Sequence, residues 1–215
     1  MIKKKIIVFG AAGYIGSILT EHLLKNKNEV VSIDALLYKN FFSIKDLKKF
    51  KNHKIYFNKN LKDENLLKII SSTNVIIYLA GLVGDPVTKK YPKESNYHNL
   101  EFVRKVIRLS KKNKHLEKFI FISTCSNYGL IKKDILAKET QKLKPLSLYS
   151  KQKVKIEREL LLKKNKGLNP VILRFATAFG LSRRMRFDLT VNQFVKDLFL
   201  KEKLVVYDPK TWRPY

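Results

Sequence analysis

Tyr149 and Lys153 stand four residues apart in Tyr149-Ser150-Lys151-Gln152-Lys153. On a helix they share one face, one turn apart. An ammonium beside a phenol stabilises the phenolate and draws the tyrosine pKa down from about 10 toward neutral. A phenol tuned in this way is a general acid/base for an alcohol such as a sugar hydroxyl. In a lysine-rich chain the spacing also arises by chance, so its meaning rests on the residues that accompany it.

A second set of residues points to a dinucleotide. Gly10-Ala11-Ala12-Gly13-Tyr14-Ile15-Gly16 has the spacing G-x-x-G-x-x-G, one residue longer between the first two glycines than G-x-G-x-x-G. The apolar run from Lys3 to Phe9 precedes it. Ser17 to Asn26 follows, with Ile18, Leu23 and Leu24 at helical spacing. In strand–loop–helix context, such glycines permit a tight turn and bring backbone N–H groups to a pyrophosphate at the helix N-terminus. Asp34 ends the next apolar run, Val30 to Ile33, 18 residues past Gly16. A βαβ nucleotide fold places an acid there on the adenosine ribose. A carboxylate accepting from the 2′- and 3′-hydroxyls repels a 2′-phosphate, so Asp34 favours NAD over NADP.

The elements that must position these groups alternate along the chain. Strands are predicted at Lys3–Phe9, Val30–Ile33, Lys54–Phe57, Asn74–Leu79, Lys118–Ile122 and Pro170–Phe175. Helices are predicted from Ser17 to Asn26, around Ile44 to Phe50, after Asn60-Leu61-Lys62-Asp63 to about Ser71, over 91–113 and over 147–165. The alternation predicts an α/β fold of Rossmann type, a doubly wound parallel sheet with helices on both faces. There is no internal repeat and no long linker.

With 215 residues the chain is long enough for one substantial core. The single cysteine, Cys125, excludes an intramolecular disulfide and fits a reducing cytoplasm. The N-terminal apolar run is too short to span a bilayer and ends in a glycine loop rather than a small-residue cleavage site. The net charge of +27 raises nucleic acid as a partner. However, only eight of the 45 basic residues are arginine, and the lysines are spread over predicted helix surfaces. No basic stripe with interleaved aromatics is present, so specific nucleic-acid binding is the minority reading. The four histidines lack metal-ligand spacing, and neither a nucleophile elbow nor a P-loop occurs. Cys125 has no neighbouring histidine and reads as a small packed thiol.

Further motifs follow the glycine loop and Asp34 in order: Asn60-Leu61-Lys62-Asp63, Leu79-Ala80-Gly81-Leu82-Val83-Gly84-Asp85-Pro86, Asn96-Tyr97, and Phe121 through Gly129 with Thr124 at the strand end. Then come Pro145-x-x-x-Tyr149-x-x-x-Lys153, Arg174 through Gly180, Leu181 through Asn192, and Trp212-Arg213-Pro214-Tyr215. From about residue 3 to the last residue the chain resembles the extended short-chain dehydrogenase/reductases, specifically their NAD-dependent nucleotide-sugar epimerase/dehydratase family. The resemblance implies Thr124, Tyr149 and Lys153 as catalytic residues. It implies cofactor contacts from Gly10, Gly13, Tyr14, Ile15, Gly16, Asp34, Asn60, Leu61, Ala80, Gly81, Tyr149 and Lys153. It implies Asn96, Thr177, Arg186, Asn192 and Arg213 on the substrate side. Asn60, Tyr78, Thr177 and Arg183 depart from the family's usual aspartate, histidine, asparagine and proline.

The family's mechanism has Tyr149 take a proton from a hydroxyl of a nucleotide-diphosphate sugar, expected at C4, with Lys153 lowering the phenol's pKa and hydride passing to NAD. Relatives that eliminate water across C5–C6 carry an acidic pair after the strand-end threonine. Cys125 and Ser126 stand there, which argues against a 4,6-dehydratase. Epimerase and oxidoreductase remain. Residues 1–180 are expected to form the cofactor domain, and 181–215 the beginning of the substrate-binding part. Family members are usually longer, so a truncated, non-catalytic NAD-binding relative is the alternative. A homodimer through helices 91–113 and 147–165 is expected, in the cytoplasm.

Overall fold

The apolar runs segregate by alternation. Ile7 and Phe9 of the first strand point to one face of the sheet, Ile6 and Val8 to the other, as a period of two requires. Both sets are buried, which suits a parallel sheet covered on both faces. The computed structural model describes residues 3–58, 61–131 and 136–206.

The strands are β1 (Lys5–Phe9), β2 (Glu29–Asp34), β3 (His53–Phe57), β4 (Val75–Tyr78), β5 (Lys118–Thr124) and β6 (Pro170–Phe175). They form one parallel sheet in the order β3-β2-β1-β4-β5-β6. This is the doubly wound Rossmann order, as expected from the alternation, and its direction reverses between β1 and β4. Helix α1 (Tyr14–Lys25) follows β1 and seats Leu24 on one face with Ile44 and Leu47. Ile44 belongs to the short α2 (Phe42–Lys45), and Leu47 to the 3₁₀ turn that continues it. The other face carries α3 (Asp63–Ser71), α6 (Phe102–Ser110) and α7 (Leu148–Leu160), through Leu66, Ile70, Val103, Val106, Ile156 and Leu160.

The helix expected over 91–113 is interrupted. α4 (Asp85–Lys90) precedes that range, which itself comprises α5 (Pro92–Asn96), one π-helical turn (Tyr97–Glu101) and α6. Pro92 opens α5 because its ring fits only the first turn of a helix. A final helix, α8 (Thr190–Phe199), was not expected from the sequence. Its apolar spacing at Val191, Phe194, Val195 and Leu198 begins at the end of the Leu181–Asn192 motif and continues past it. Val195, Leu198 and Phe199 of α8 are exposed, as is Leu181 before it.

Candidate active site

An open cleft of about 1180 Å³ runs along the carboxyl ends of the strands, across the switch point between β1 and β4. The glycine loop forms one wall. Gly10 has φ +81° and lies against the chain after β4, where an added Cβ would come within 2.7 Å of the Ala80 nitrogen. At Gly16 a Cβ would collide with the Gly10 carbonyl. The loop therefore closes on itself only with glycine at these positions. Gly13, Tyr14 and Ile15 line the cleft beside them, as do Ala80 and Gly81 opposite.

Asp34 also lines the cleft. Its two carboxylate oxygens accept from the backbone N–H of Ala12 (2.9 Å) and Leu36 (2.8 Å). Burial raises its pKa, against the lowering by those two hydrogen bonds. Asn58, at the end of β3, faces the same space. Its side-chain oxygen is buried and unpartnered among the described residues, as are those of Asn40 and one oxygen of Asp85. Three buried acceptors along one cleft call for a ligand with hydroxyl or amino donors. Leu61 packs against the core and does not line the cleft, which corrects its expected cofactor contact. Lysine-rich loop sequence around it gave no means to tell the inward apolar residue from the cleft-facing asparagine. Asn60 lies outside the described residues.

The other end of the cleft holds Thr124, Tyr149 and Lys153. Thr124 ends β5, and its hydroxyl accepts from Ser126 N–H at 3.2 Å. Ser147 caps α7 by accepting from Ser150 N–H at 3.1 Å, which places Tyr149 and Lys153 on the first turns of that helix. Lys153 is 4% exposed, and its ammonium donates to the Ile122 carbonyl at 2.8 Å. It lies 4.6 Å from the centre of the Phe121 ring and 5.7 Å from that of Tyr149.

The electrostatics depart from expectation. Burial pushes the Tyr149 phenol up to about 12 and brings Lys153 down to about 8. The expected depression of the phenol by Lys153 is absent, because desolvation of the phenol outweighs any charge near it. The cation that does oppose the rise is Arg186.

Asn96 is exposed and donates to Glu101 at 2.5 Å, away from the cleft, which corrects its expected place at the substrate. The buried asparagine of this stretch is Asn99, three residues on. Its side chain accepts from Leu82 N–H (2.8 Å) and donates to the Leu82 carbonyl (3.0 Å) and to Gln152 of α7 (2.8 Å). The π-helical turn carries Asn99, and such turns re-aim side chains relative to an unbroken helix. Sequence spacing that assumed a continuous helix could not find it.

The segment from Gly180 to Asn192 crosses the start of α1. Ser182 donates to the Tyr14 carbonyl at 2.6 Å, and Arg183 pairs with Glu21 at 2.9 Å. Tyr14 donates its hydroxyl to the Gly180 carbonyl at 2.6 Å and accepts from Asn192 at 2.9 Å. Asn192 is 5% exposed and also bonds Gly180 N–H and the Arg186 carbonyl. It braces the segment and does not line the cleft, a correction to its expected substrate contact. Thr177 and Arg186 do line it, with Arg186 paired to Asp188 through two bonds of 3.1 and 2.6 Å. Arg213 lies outside the described residues. The sequence reading also missed Tyr38 and the placement of Arg184, which stacks on it at 4.4 Å.

Comparison with known proteins identifies relatives of this fold. The family model for the NAD dependent epimerase/dehydratase family matches residues 6–215. An uncharacterized UDP-glucose epimerase of Bacillus subtilis (strain 168), YtcB, is 32% identical over 213 residues, covering 94% of this chain and 65% of its own. A UDP-glucuronic acid 4-epimerase from Bacillus cereus, solved with UDP-glucuronic acid and NAD, superposes with a TM-score of 0.81 at 29% identity. That match covers 96% of this chain and 67% of the other. A UDP-N-acetylglucosamine 4-epimerase from Methanobrevibacter ruminantium M1 gives a TM-score of 0.81 at 26% identity, covering 96% and 66%. The chain thus spans about two thirds of the length of these relatives. With the sheet order, the glycine loop and the family match over nearly its whole length, the chain belongs to the NAD dependent epimerase/dehydratase family.

Proposed function

We propose that the cleft binds NAD and a nucleotide-diphosphate sugar, and that the protein inverts a sugar carbon, C4, by oxidation and return of hydride. The observation that carries the reading is one cleft with the glycine loop and Asp34 at one end and Thr124, Tyr149 and Lys153 at the other. The buried acceptors of Asn40, Asn58 and Asp85 fit the ribose hydroxyls and adenine amino group of a dinucleotide. Gly10 to Gly16 would hold the pyrophosphate, Asp34 the adenosine ribose, and Ala80 and Gly81 the stretch between.

When bound, NAD supplies the hydride acceptor and then the donor. Tyr149 takes the proton of the C4 hydroxyl and later returns one. Thr124 holds the same oxygen through its hydroxyl. A phenol at about 12 is a poor base at neutral pH, so Tyr149 needs cationic help before it accepts a proton. Arg186 and a protonated Lys153 are the side chains placed to give it. Thr177 and Arg186 face the sugar nucleotide, and Asn192 positions Arg186. Cys125 and Ser126 offer no carboxyl group for water elimination, so the reading is epimerase or oxidoreductase rather than dehydratase. Residues 1–180 act as the cofactor domain and 181–215 as the beginning of the substrate-binding part.

The test is incubation of the purified protein with NAD and a panel of UDP-sugars, beside Tyr149→Phe. Product sugars are separated, and absorbance at the reduced-nicotinamide band is followed. C4 epimers from wild type, with loss of about 100-fold or more in Tyr149→Phe, support the proposal. NAD binding without any sugar conversion sinks it and leaves a non-catalytic NAD-binding relative.

A further inference from the structure

We propose that Arg184, stacked on Tyr38, is a specificity residue of the dinucleotide site and lets the ribose subsite at Asp34 take a 2′-phosphate as well as a free 2′-hydroxyl. The inference rests on the dinucleotide reading above. It changes what Asp34 alone implies about NADP.

Arg184 has an unusual position among the three clustered arginines. Arg183 is engaged by Glu21, and Arg186 by Asp188. Arg184 makes no ion pair among the described residues. Its guanidinium carbon lies over the Tyr38 ring, 4.4 Å from the ring centre, and Tyr38 stands in the loop that leaves β2 just after Asp34. Asp34, Tyr38 and Arg184 line the same end of the cleft. A stacked guanidinium keeps its N–H edge available, and that planar fork matches phosphate oxygens. The backbone holds it there: Arg184 N–H donates to Ser182 at 3.2 Å, and Ser182 is bonded to Tyr14 of α1.

Asp34 is less repulsive than an exposed carboxylate. Both of its oxygens already accept backbone N–H groups, and burial favours its neutral form. A 2′-phosphate at this edge would meet a restrained carboxylate on one side and, on the other, a guanidinium that feels Asp34 and Asp188 only at a distance and makes no ion pair among the described residues. In dinucleotide folds an acid at this position selects NAD, and a nearby arginine accommodates NADP. Here the chain carries both.

The test measures binding without any sugar. NADH and NADPH are titrated by nicotinamide fluorescence against wild type, Arg184→Ala and Arg184→Gln, with thermal melts to show that each variant is folded. Wild type is expected to bind NADPH within about thirtyfold of NADH, and both variants to lose about 10- to 100-fold for NADPH, the range of one charge-assisted hydrogen bond. Their NADH affinity should move less than about threefold. Stronger wild-type discrimination against NADPH, or equal weakening of both nucleotides in the folded variants, overturns the proposal while leaving the dinucleotide site intact. Binding of neither nucleotide overturns the site and the proposal together.

Discussion

Tyr149 and Lys153 are pulled in opposite directions by one cause. Burial favours the neutral form of each, so the phenol rises to about 12 and the ammonium falls to about 8. A difference spectrum at the phenolate band, wild type minus Tyr149→Phe, should titrate near 12 without cofactor. Added NAD should lower that midpoint, since a cationic ring near the phenol favours phenolate. A midpoint near the free value of about 10 would refute the burial argument. Lys153 makes a stability prediction with a definite sign. Between about 8 and its free value the unfolded lysine holds a proton that the native one has released. Stability contributed by this residue therefore rises with pH through that window, and below it the buried charge costs about 3 kcal/mol. Lys153→Met should flatten the rise in urea unfolding measured at pH 7.5 and 10. Identical slopes in the two proteins would count against it. The pairing of these two residues was legible in the sequence, but the balance of desolvation against charge was not, because spacing carries no information about burial.

At the scale of elements, a buried polar cluster binds β5, β6 and α7 behind Thr124, Tyr149 and Lys153. Glu157 is 1% exposed and accepts from Arg174 of β6 (2.7 Å) and Asn127 (2.7 Å). Asn127 also donates to Ser123, next to Thr124, at 2.9 Å. Removing one partner of a buried ion pair leaves the other charge uncompensated, so Glu157→Ala should destabilise by about 3–5 kcal/mol. Arg183→Ala breaks a pair whose side chains are 28% and 21% exposed, and should cost no more than about 1 kcal/mol. Chemical denaturation of the two variants side by side checks the contrast, and equal losses would refute it. Here the sequence was a partial guide. All six strands follow from local pattern. The π-helical turn that swaps Asn99 for Asn96 does not, because it depends on packing against Gly81 and Gln152. Gly81 itself has φ +150°, and a Cβ there would press to 2.5 Å from the Asn99 side-chain oxygen.

For the molecule as a whole, charge is the dominant feature. Among the described residues no helix is long and apolar enough to cross a membrane. We propose a homodimer through the α6–α7 face. The exposed positions of these helices are charged: Arg108 on α6, and Lys151, Lys155 and Arg158 on α7. A two-fold axis through this face brings like charges together, and salt screens them over about 10 Å at 0.1 M. The dimer should therefore strengthen as salt rises from about 0.01 to 0.3 M, a range over which the screening length shortens several-fold. Sedimentation velocity across that range reads it directly. A dimer unaffected by salt would place the interface elsewhere.

By itself the sequence determined the class of fold, since apolar runs of strand length alternating with helical spacing admit a parallel α/β sheet and little else. It also carried the glycine loop and Asp34, because a tight turn beside a strand restricts residue type, while the Thr124, Tyr149 and Lys153 set rests on the family resemblance and on the proposed function. Tertiary structure alone decided which residues share the cleft. Leu61 and Asn58 differ in which way they face, Asn192 turns inward as a brace, and Arg184 reaches from beyond β6 to Tyr38 after β2. The Asn192 and Arg184 outcomes depend on contacts between segments more than a hundred residues apart, which leave no periodic trace in the chain. The opposed basicities of Tyr149 and Lys153 belong to the same class, since desolvation is a property of the folded site and not of the residue.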